Sequence, residues 1–330
     1  MGNLIECVPN FSEGRDSKKI AQIVKAIEQR SVKLLEVEPD KDYNRTVVTF
    51  AGGAEEVKEA AFEAIKAASE LIDMSKHKGQ HPRLGATDVC PFIPISARME
   101  DCVRLAKELG KRVGKELGIP VYLYGEAATV EERKELSHIR KGEYEGLKAK
   151  LNQEEWKPDY GPAEFNSRTG AVTIGARPFL IAFNVNLNTN DIKLANDIAS
   201  RVRESGRVVD GERVPGSLKC VKALGVLLKD HGLAQVSMNL TNYKVTGLHK
   251  AFDEVRREAE HLGYGVTSSE IVGLVPKEAL VEAGRYWAEK RRTVQLSEAE
   301  LIQEAVAQLG LHQLNPFDPE KKVLEYSLGI

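Results

Sequence analysis

RTVVTFAGGAEEVKEAAFEAIKAASELIDM (45–74) passes from one periodicity to another. RTVVTF is rich in Val and Thr and reads as a strand. After Gly52-Gly53 the apolar residues recur at helical spacing, so 54–74 reads as an amphipathic helix. Upstream, LIECV (4–8) reads as a buried strand and VKLLEVE (32–38) as a second one. SKKIAQIVKAIEQR (17–30) lies between them and places Ile20, Ile23, Val24 and Ile27 on one helical face. Downstream, VCPFIPI (89–95) is a strand whose two prolines point to an edge or a bulge. The order is β-α-β-β-α-β, the split βαβ of ferredoxin-like domains.

The same order returns in the second half. FLIAFNVNL (179–187) reads as a strand, and 190–204 as a helix capped near Thr189 or Asn190. CVKALGVLL (220–228) and AQVSMNL (234–240) read as an antiparallel pair turning at Lys229-Asp230-His231-Gly232. TGLHKAFDEVRREAEHLG (246–263) is a helix stopped by Gly263, and TSSEIVGLV (267–275) closes the set. The halves match in element order, not in residue identity. Between them lie a helix (99–117), a strand (PVYLYG, 120–125) and a polar stretch from 126 to about 178. A connection that long usually binds something. Two further helices fall near 276–290 and 297–309. The fold class is therefore α/β (α+β), in two subdomains, 1–177 and 178–330.

The totals exclude several classes of function. Hydrophobic residues make up 42% of the 330 and charged residues 29%, which suits a soluble globular chain. A net charge of −2 supplies no basic field for nucleic acid. The longest apolar runs, such as FLIAF (179–183), are too short to span a membrane. MGNLIECVPN (1–10) lacks a secretory pattern, and Met1-Gly2 lacks the Ser or Thr that myristoylation needs at position 6. Cys7, Cys90, Cys102 and Cys220 form no CxxC pair, so a reduced, cytoplasmic protein is expected, with a catalytic thiol as the lesser alternative.

KHKGQHPRLGATDVCPF (76–92) is an unusually polar link between two core elements. At His81 stands a residue type that ordinarily titrates near neutrality, and Pro82 biases it towards extended backbone. Gly79 and Gly85 permit bends, Arg83 offers a planar fork for a carboxylate, and Asp88 can orient a ring or hold an amine. The set suits acid/base work on an anionic substrate. On composition alone a solvated loop fits slightly better, with its His capping a helix and its Arg in a surface ion pair. His77 reads as a cation favoured at a helix end. His77 and His81 are four apart, but Gly79 and Pro82 break the helix and no third ligand has suitable spacing, so no metal is expected. Asn10 follows a strand end. Glu38, Asp40, Asn44 and Arg45 cluster at a bend that any hairpin would make polar. GPAEFNSRTGAVTIGARPF (161–179) carries Gly161, Gly170, Gly175, Arg168 and Arg177 and has the look of a ligand loop. Asn184, Asn186, Asn239 and Asn242 mark strands where buried amides need partners. RVRESGR (201–207) reads as a solvated helix end.

ECVPNFSEGR (6–15), NRTVVTF (44–50), LIDMSKHKGQHPRLGATDVCPFIPI (71–95), PVYLYGEAA (120–128), GARPFLIAFNVNL (175–187), LAQVSMNL (233–240) and VGLVPKEAL (272–280) resemble the formiminotransferases, folate-dependent enzymes of histidine breakdown. The resemblance runs from about residue 3 to the C-terminus. It implies two ferredoxin-like subdomains, tetrahydrofolate as co-substrate in a cleft between them, and a homodimer. It places the essential histidine at His81 and the folate segment at 161–170, with Gly161, Pro162, Asn166, Arg168 and Gly170. The family's acidic partner is an aspartate; Glu38 stands at the aligned position, with Asp40 as the alternative. Asn10, Asn44, Arg45, Arg83, Asp88, Arg177, Asn184 and Asn239 complete the expected binding set.

The implied reaction moves a formimino group from N-formimino-L-glutamate to N5 of tetrahydrofolate, and His81 moves the proton that the leaving amine needs. No covalent nucleophile and no metal are called for. In animals the enzyme is fused to a helical cyclodeaminase domain. This chain resembles the stand-alone transferase, whose cyclodeaminase would be a separate partner. The alternatives are formyl exchange between 5-formyltetrahydrofolate and glutamate, and a non-catalytic folate-binding module.

Overall fold

The computed structural model describes residues 3–228, 231–292 and 295–330. Met1-Gly2, and Lys229-Asp230 of the expected turn, lie outside the described residues. The chain divides into two compact units, Met1–Pro178 and Phe179–Ile330.

The first unit opens with β1 (Ile5–Cys7), β2 (Asn10–Phe11), α1 (Ser17–Glu28), β3 (Lys33–Asp40), β4 (Arg45–Gly52), α2 (Ala54–Leu71) and β5 (Thr87–Pro94). β1 and β2 are one strand broken at Val8-Pro9, and both lie antiparallel between β4 and β5. β3 pairs with the far side of β4. The resulting order, β5 next to β1/β2, then β4, then β3, is that of a ferredoxin-like sheet. Asp16 caps α1 by accepting from the Lys18 and Lys19 N–H groups. α2 buries Val57, Ala61, Ile65 and Ala68 along one stripe, the spacing its sequence carries.

The unit continues through α3 (Met99–Arg112), β6 (Val121–Gly125), α4 (Leu136–Arg140), α5 (Glu143–Leu151) and β7 (Val172–Ala176). Two expectations are corrected here. The stretch from 126 to about 178 is not one loop: it contains α4, α5 and β7, and β7 inserts in parallel between β5 and β6. β7 is buried throughout, but its five residues sit in a run of Gly and Arg too short to show alternation. β5, in turn, is an interior strand and not an edge, flanked by β1/β2 and β7. Its register with β2 does shift between Asn10 and Phe11, the irregularity its prolines suggested. Pro91 lies opposite the break between β1 and β2, where Val8 N–H reaches the Pro91 carbonyl (3.4 Å).

Alternation along these strands sorts the side chains. Ile5, Cys7, Val48, Phe50, Cys90 and Phe92 enter the core with α1, α2 and α3. Glu6, Asn10, Arg45, Val47, Val89 and Thr173 point to the other face, as the register requires. A second apolar cluster, including Val89, Tyr122, Ile139 and Leu147, brings α4 and α5 to the β6 end of that face.

The second unit comprises β8 (Ile181–Leu187), α6 (Ile192–Val202), β9 (Arg207–Val209), β10 (Glu212–Val214), β11 (Val221–Leu228), β12 (Leu233–Leu240), α7 (Leu248–His261), β13 (Val266–Val272), α8 (Lys277–Lys290), α9 (Glu298–Leu309), α10 (Pro319–Lys322) and α11 (Leu324–Leu328). Its main sheet runs β11-β12-β8-β13, the ferredoxin-like order again. Asp191, not Thr189 or Asn190, caps α6. The β9–β10 ribbon interrupts the expected 201–207 surface run. Phe183, Val185, Ile198, Val236 and Leu280 form the core. The opposite sheet face is polar, with Asn184, Asn186, Gln235, Ser237, Asn239, Ser268 and Glu270 in register.

Candidate active site

The site of the first unit begins at the β3–β4 turn. Asn44 holds a left-handed conformation (φ 49°), one that Asn tolerates better than most residues. Its Oδ1 accepts from Gly14 N–H (3.0 Å), and its Nδ2 donates to the Lys78 carbonyl (3.0 Å). Its own carbonyl faces His77 Nε2 (2.9 Å). One residue thus ties together the β2–α1 loop, the hairpin tip and the 77–88 link.

Arg83 does not present an open fork. Its guanidinium is buried and donates to both Glu145 oxygens (2.8 and 2.7 Å) and to Glu143 (3.0 Å), carboxylates supplied by α5. Its Nε donates to His77 Nδ1 (3.2 Å). Arginine only donates, so His77 Nδ1 accepts, and the ring proton sits on Nε2, aimed at Asn44. Burial and Arg83 push the His77 pKa down, against the pull of the Asn44 hydrogen bond. His77 is therefore a neutral link and not a helix-end cation; α2 already stops at Leu71. A cavity of about 680 Å³ lies alongside, bounded by Met74, His77, Gly79, Arg83, Glu143 and Tyr144.

His81 is half-buried, with Arg45 Nη1 donating to its Nε2 (2.7 Å). The Tyr43 ring lies 5.9 Å from the His81 ring and 5.4 Å from the Arg45 guanidinium. Burial, then Arg45 and Arg140, hold the His81 pKa well below 6.5; a hydrogen bond to the Pro82 backbone opposes them weakly. The imidazole is thus neutral, with its lone pair on Nε2. Arg45 has a second property: its Nε is buried without a hydrogen-bond partner. Arg140 is held by Asp88, which is 1% exposed and also accepts from Leu84 N–H (2.9 Å). Asp88 is thereby committed to the protein itself. Asp40 Oδ1 accepts from Tyr43 N–H (2.8 Å) and lies opposite Arg45 in the β3–β4 register. Glu38 is half-buried on the same face, opposite Val47. Asn10 Nδ2 donates to the Val8 carbonyl (3.1 Å).

The 161–170 segment runs beside the same link. Gly170 (φ 64°) brings the two chains together; a Cβ there would lie 2.2 Å from the Leu84 carbonyl. Thr169 O accepts from Ala86 N–H (2.8 Å), and Leu84 O from Ala171 N–H (3.1 Å). Asn166 Oδ1 accepts from the Arg168 and Thr169 N–H groups (2.9 and 3.2 Å). The Arg168 guanidinium donates to the Glu70 carbonyl (2.5 Å), at the end of α2. Gly161 (φ 80°) packs on the Ile119 carbonyl, and Pro162 is half-buried. Asn184 and Asn239 belong to the second unit, on its polar sheet face.

Arg177, at the end of β7, acts on two groups that sequence reasoning missed, Glu6 and Tyr124. Burial pushes the Tyr124 phenol up to about 12. Burial raises Glu6 to about 7, with Arg177 opposing and Glu36 adding to the rise. A single acid inside the apolar run LIECV was the visible signal for Glu6. Tyr43, Glu145 and Arg140 gave none.

Glu6 makes a pH prediction. Between its ordinary value of 4.5 and about 7, the folded chain keeps a proton that the unfolded chain has released. Stability therefore falls as pH rises through that window, and the cost is complete above it. Glu6→Gln should stabilise the protein by roughly 1–3 kcal/mol at pH 8 and by little at pH 4.5. Urea denaturation at the two pH values checks this; an equal offset at both would refute the buried-acid account.

Cys7, Cys90, Cys102 and Cys220 are all free thiols. Burial and the adjacent Cys90 sulfur (3.6 Å) push the Cys7 thiol up, which disfavours it as a nucleophile. Among the described residues no helix is long and apolar enough to cross a membrane, and no group of three or more His, Cys, Asp or Glu side chains is arranged to hold a metal ion.

Comparison with known proteins bears on this geometry. Residues 4–177 match the family model for the formiminotransferase domain, N-terminal subdomain, and residues 182–329 match that for the formiminotransferase domain. A glutamate formimidoyltransferase of Thermoplasma acidophilum is 50% identical over 289 residues, covering 86% of this chain and 92% of that protein. One from Streptococcus pyogenes is 43% identical, covering 87% and 94%. The formimidoyltransferase-cyclodeaminase of Dictyostelium discoideum is 50% identical over 329 residues. That match covers 99% of this chain, which spans about 60% of the Dictyostelium protein's length.

Proposed function

The chain belongs to the formiminotransferase family, and from that premise we propose that it transfers the formimino group of N-formimino-L-glutamate to N5 of tetrahydrofolate. In that reaction the one-carbon unit exchanges one nitrogen for another, and the departing glutamate amine takes up a proton.

The observation that carries the reading is the Arg45–His81 pair. His81 is neutral and basic at Nε2, and Arg45 covers that lone pair. Arg45 also has a buried N–H to spare, so a substrate carboxylate has a receptor ready. When Arg45 turns to that carboxylate, Nε2 is uncovered and takes the proton from the attacking amine. His81 then returns a proton to the glutamate nitrogen. Asp40 holds the turn that positions Tyr43 and Arg45, Glu38 adds negative charge on the same face, and Asp88 anchors Arg140 beside the ring. The 161–170 segment, bonded to the His81 link, is the folate-side wall. Four free thiols support a reducing, cytoplasmic setting. The paired name of the Dictyostelium relative supports a cyclodeaminase as functional partner. A homodimer is the expected assembly.

Purified protein given tetrahydrofolate with formiminoglutamate, and separately with formylglutamate, tests the reading. Turnover of the formimino donor is expected; turnover of the formyl donor alone would replace it with formyl exchange.

Arg45→Gln supplies a finer check. The His81 ring should titrate well below 6.5 in the free protein, and closer to its ordinary value in the variant. Proton NMR of the ring reads this directly. An unchanged titration would mean that Arg45 does not restrain His81.

A further inference from the structure

α5 carries a buried lysine with no acid beside it. Lys150 is 9% exposed, and its Nζ donates to the Ile139 carbonyl (2.6 Å) and to the Lys141 carbonyl (2.8 Å). The ammonium also lies 4.1 Å from the centre of the Trp156 ring. Among the described residues no carboxylate pairs with it. Arg83 and Arg133, similarly buried, are neutralised, the first by Glu143 and Glu145 and the second by Asp159. Burying an ammonium without a counter-charge costs stability. Here burial, then the charge of Lys141, push its pKa down to about 8. A methionine would fill the same space without that cost.

What the ammonium does is visible in its acceptors. Ile139 and Lys141 stand on either side of Arg140, so a single Nζ holds the backbone on both sides of that residue. α4 is five residues long, too short to hold itself. Its last carbonyls lack helical partners, and a cation is favoured at that end. Ile139 anchors the helix in the apolar cluster with Tyr122 and Leu147. The Arg140 guanidinium reaches the Asp88 carboxylate. From there, together with Arg45 and Arg83, its charge acts on the His81 ring.

We propose that Lys150 is a positioning residue for His81: it fixes the backbone at Arg140 and so sets the Arg140–Asp88 pair beside the imidazole. Its own hydrogen bonds go to α4 and not to the ring. Only the effect on turnover rests on the transferase reading; the hold on Arg140 does not.

The test is a proton NMR titration of the His81 ring in the full chain, for the wild type, Lys150→Met, Arg140→Gln and the double variant. In each single variant the ring midpoint should move up towards 6.5, because a nearby positive charge is removed or released. In the double variant it should stay where Arg140→Gln puts it, since Lys150 acts through Arg140. Lys150→Gln, one bond shorter than lysine, takes the place of the apolar variant if that one does not fold, and the ring should move in the same direction. A purely structural lysine would lower the melting temperature and leave the ring titration where it is. That result in a folded Lys150 variant overturns the proposal, as does a shift in the double variant that adds to that of Arg140→Gln. In steady-state kinetics, kcat should fall about tenfold or more with KM little changed, the signature of a misplaced catalytic group. Near-normal kcat in a folded Lys150 variant of an active protein overturns the proposal as well. The titration needs no substrate, so a protein inactive in the transferase assay loses the substrate reading and keeps the linkage between Lys150 and Arg140.

Discussion

His81→Ala should lower turnover by about 10²–10⁴-fold, the usual contribution of a positioned general acid/base. The fold should survive, because the ring is only half-buried and its direct partner is the Arg45 guanidinium. Folate binding should persist, since 161–170 is held by backbone bonds to residues 84 and 86 and not by the ring. Steady-state kinetics with formiminoglutamate, beside a thermal melt, separate the two effects. A folded variant with near-normal turnover would remove His81 from proton transfer and leave positioning as the main source of rate.

Asp88→Ala should cost about 3–5 kcal/mol of stability, as removal of one partner from a buried ion pair typically does. The carboxylate is shielded from water, so nothing replaces it. Arg140 loses its counter-charge, and Leu84 N–H loses its acceptor. The Leu84 loss falls on the segment that carries His81, and Asp88 no longer ties Arg140 of α4 to it, so turnover should fall as well. Asp88→Asn should be milder, because it keeps an oxygen for Leu84 N–H. Denaturant titration of the two variants decides. A loss under about 1 kcal/mol in the alanine variant would mean that water re-solvates Arg140.

Much of the fold was legible because its elements carry strong periodic patterns. α2 has a long Ala-rich stripe, and β4 and β8 are runs of branched and aromatic residues. β7 was not legible: five residues between Gly170 and Arg177-Pro178 carry too little pattern, and parallel pairing is a long-range event. β5 misled because proline normally marks an edge; here the missing N–H falls opposite a break in the neighbouring strand. In the site, His81 and Arg45 stood out by residue type and by their place beside bends. Their contact did not, because they are brought together by chain segments 36 residues apart. Arg83 and Asp88 looked free for a ligand in sequence. Their partners, Glu145 and Arg140, come from short charged helices with no amphipathic signature. Whether an arginine is available is a property of its neighbours, and local sequence does not contain them.

The Asn44 junction sets the rhythm on which the site opens. The Gly14 amide proton is closed off by the Asn44 carboxamide, so it exchanges with solvent only when the hairpin tip lifts. Tyr43 and Arg45 flank Asn44 in the chain and lift with it, taking the cover from the His81 ring. Deuterium uptake at Gly14 is therefore expected to track how often the His81 Nε2 lone pair is uncovered.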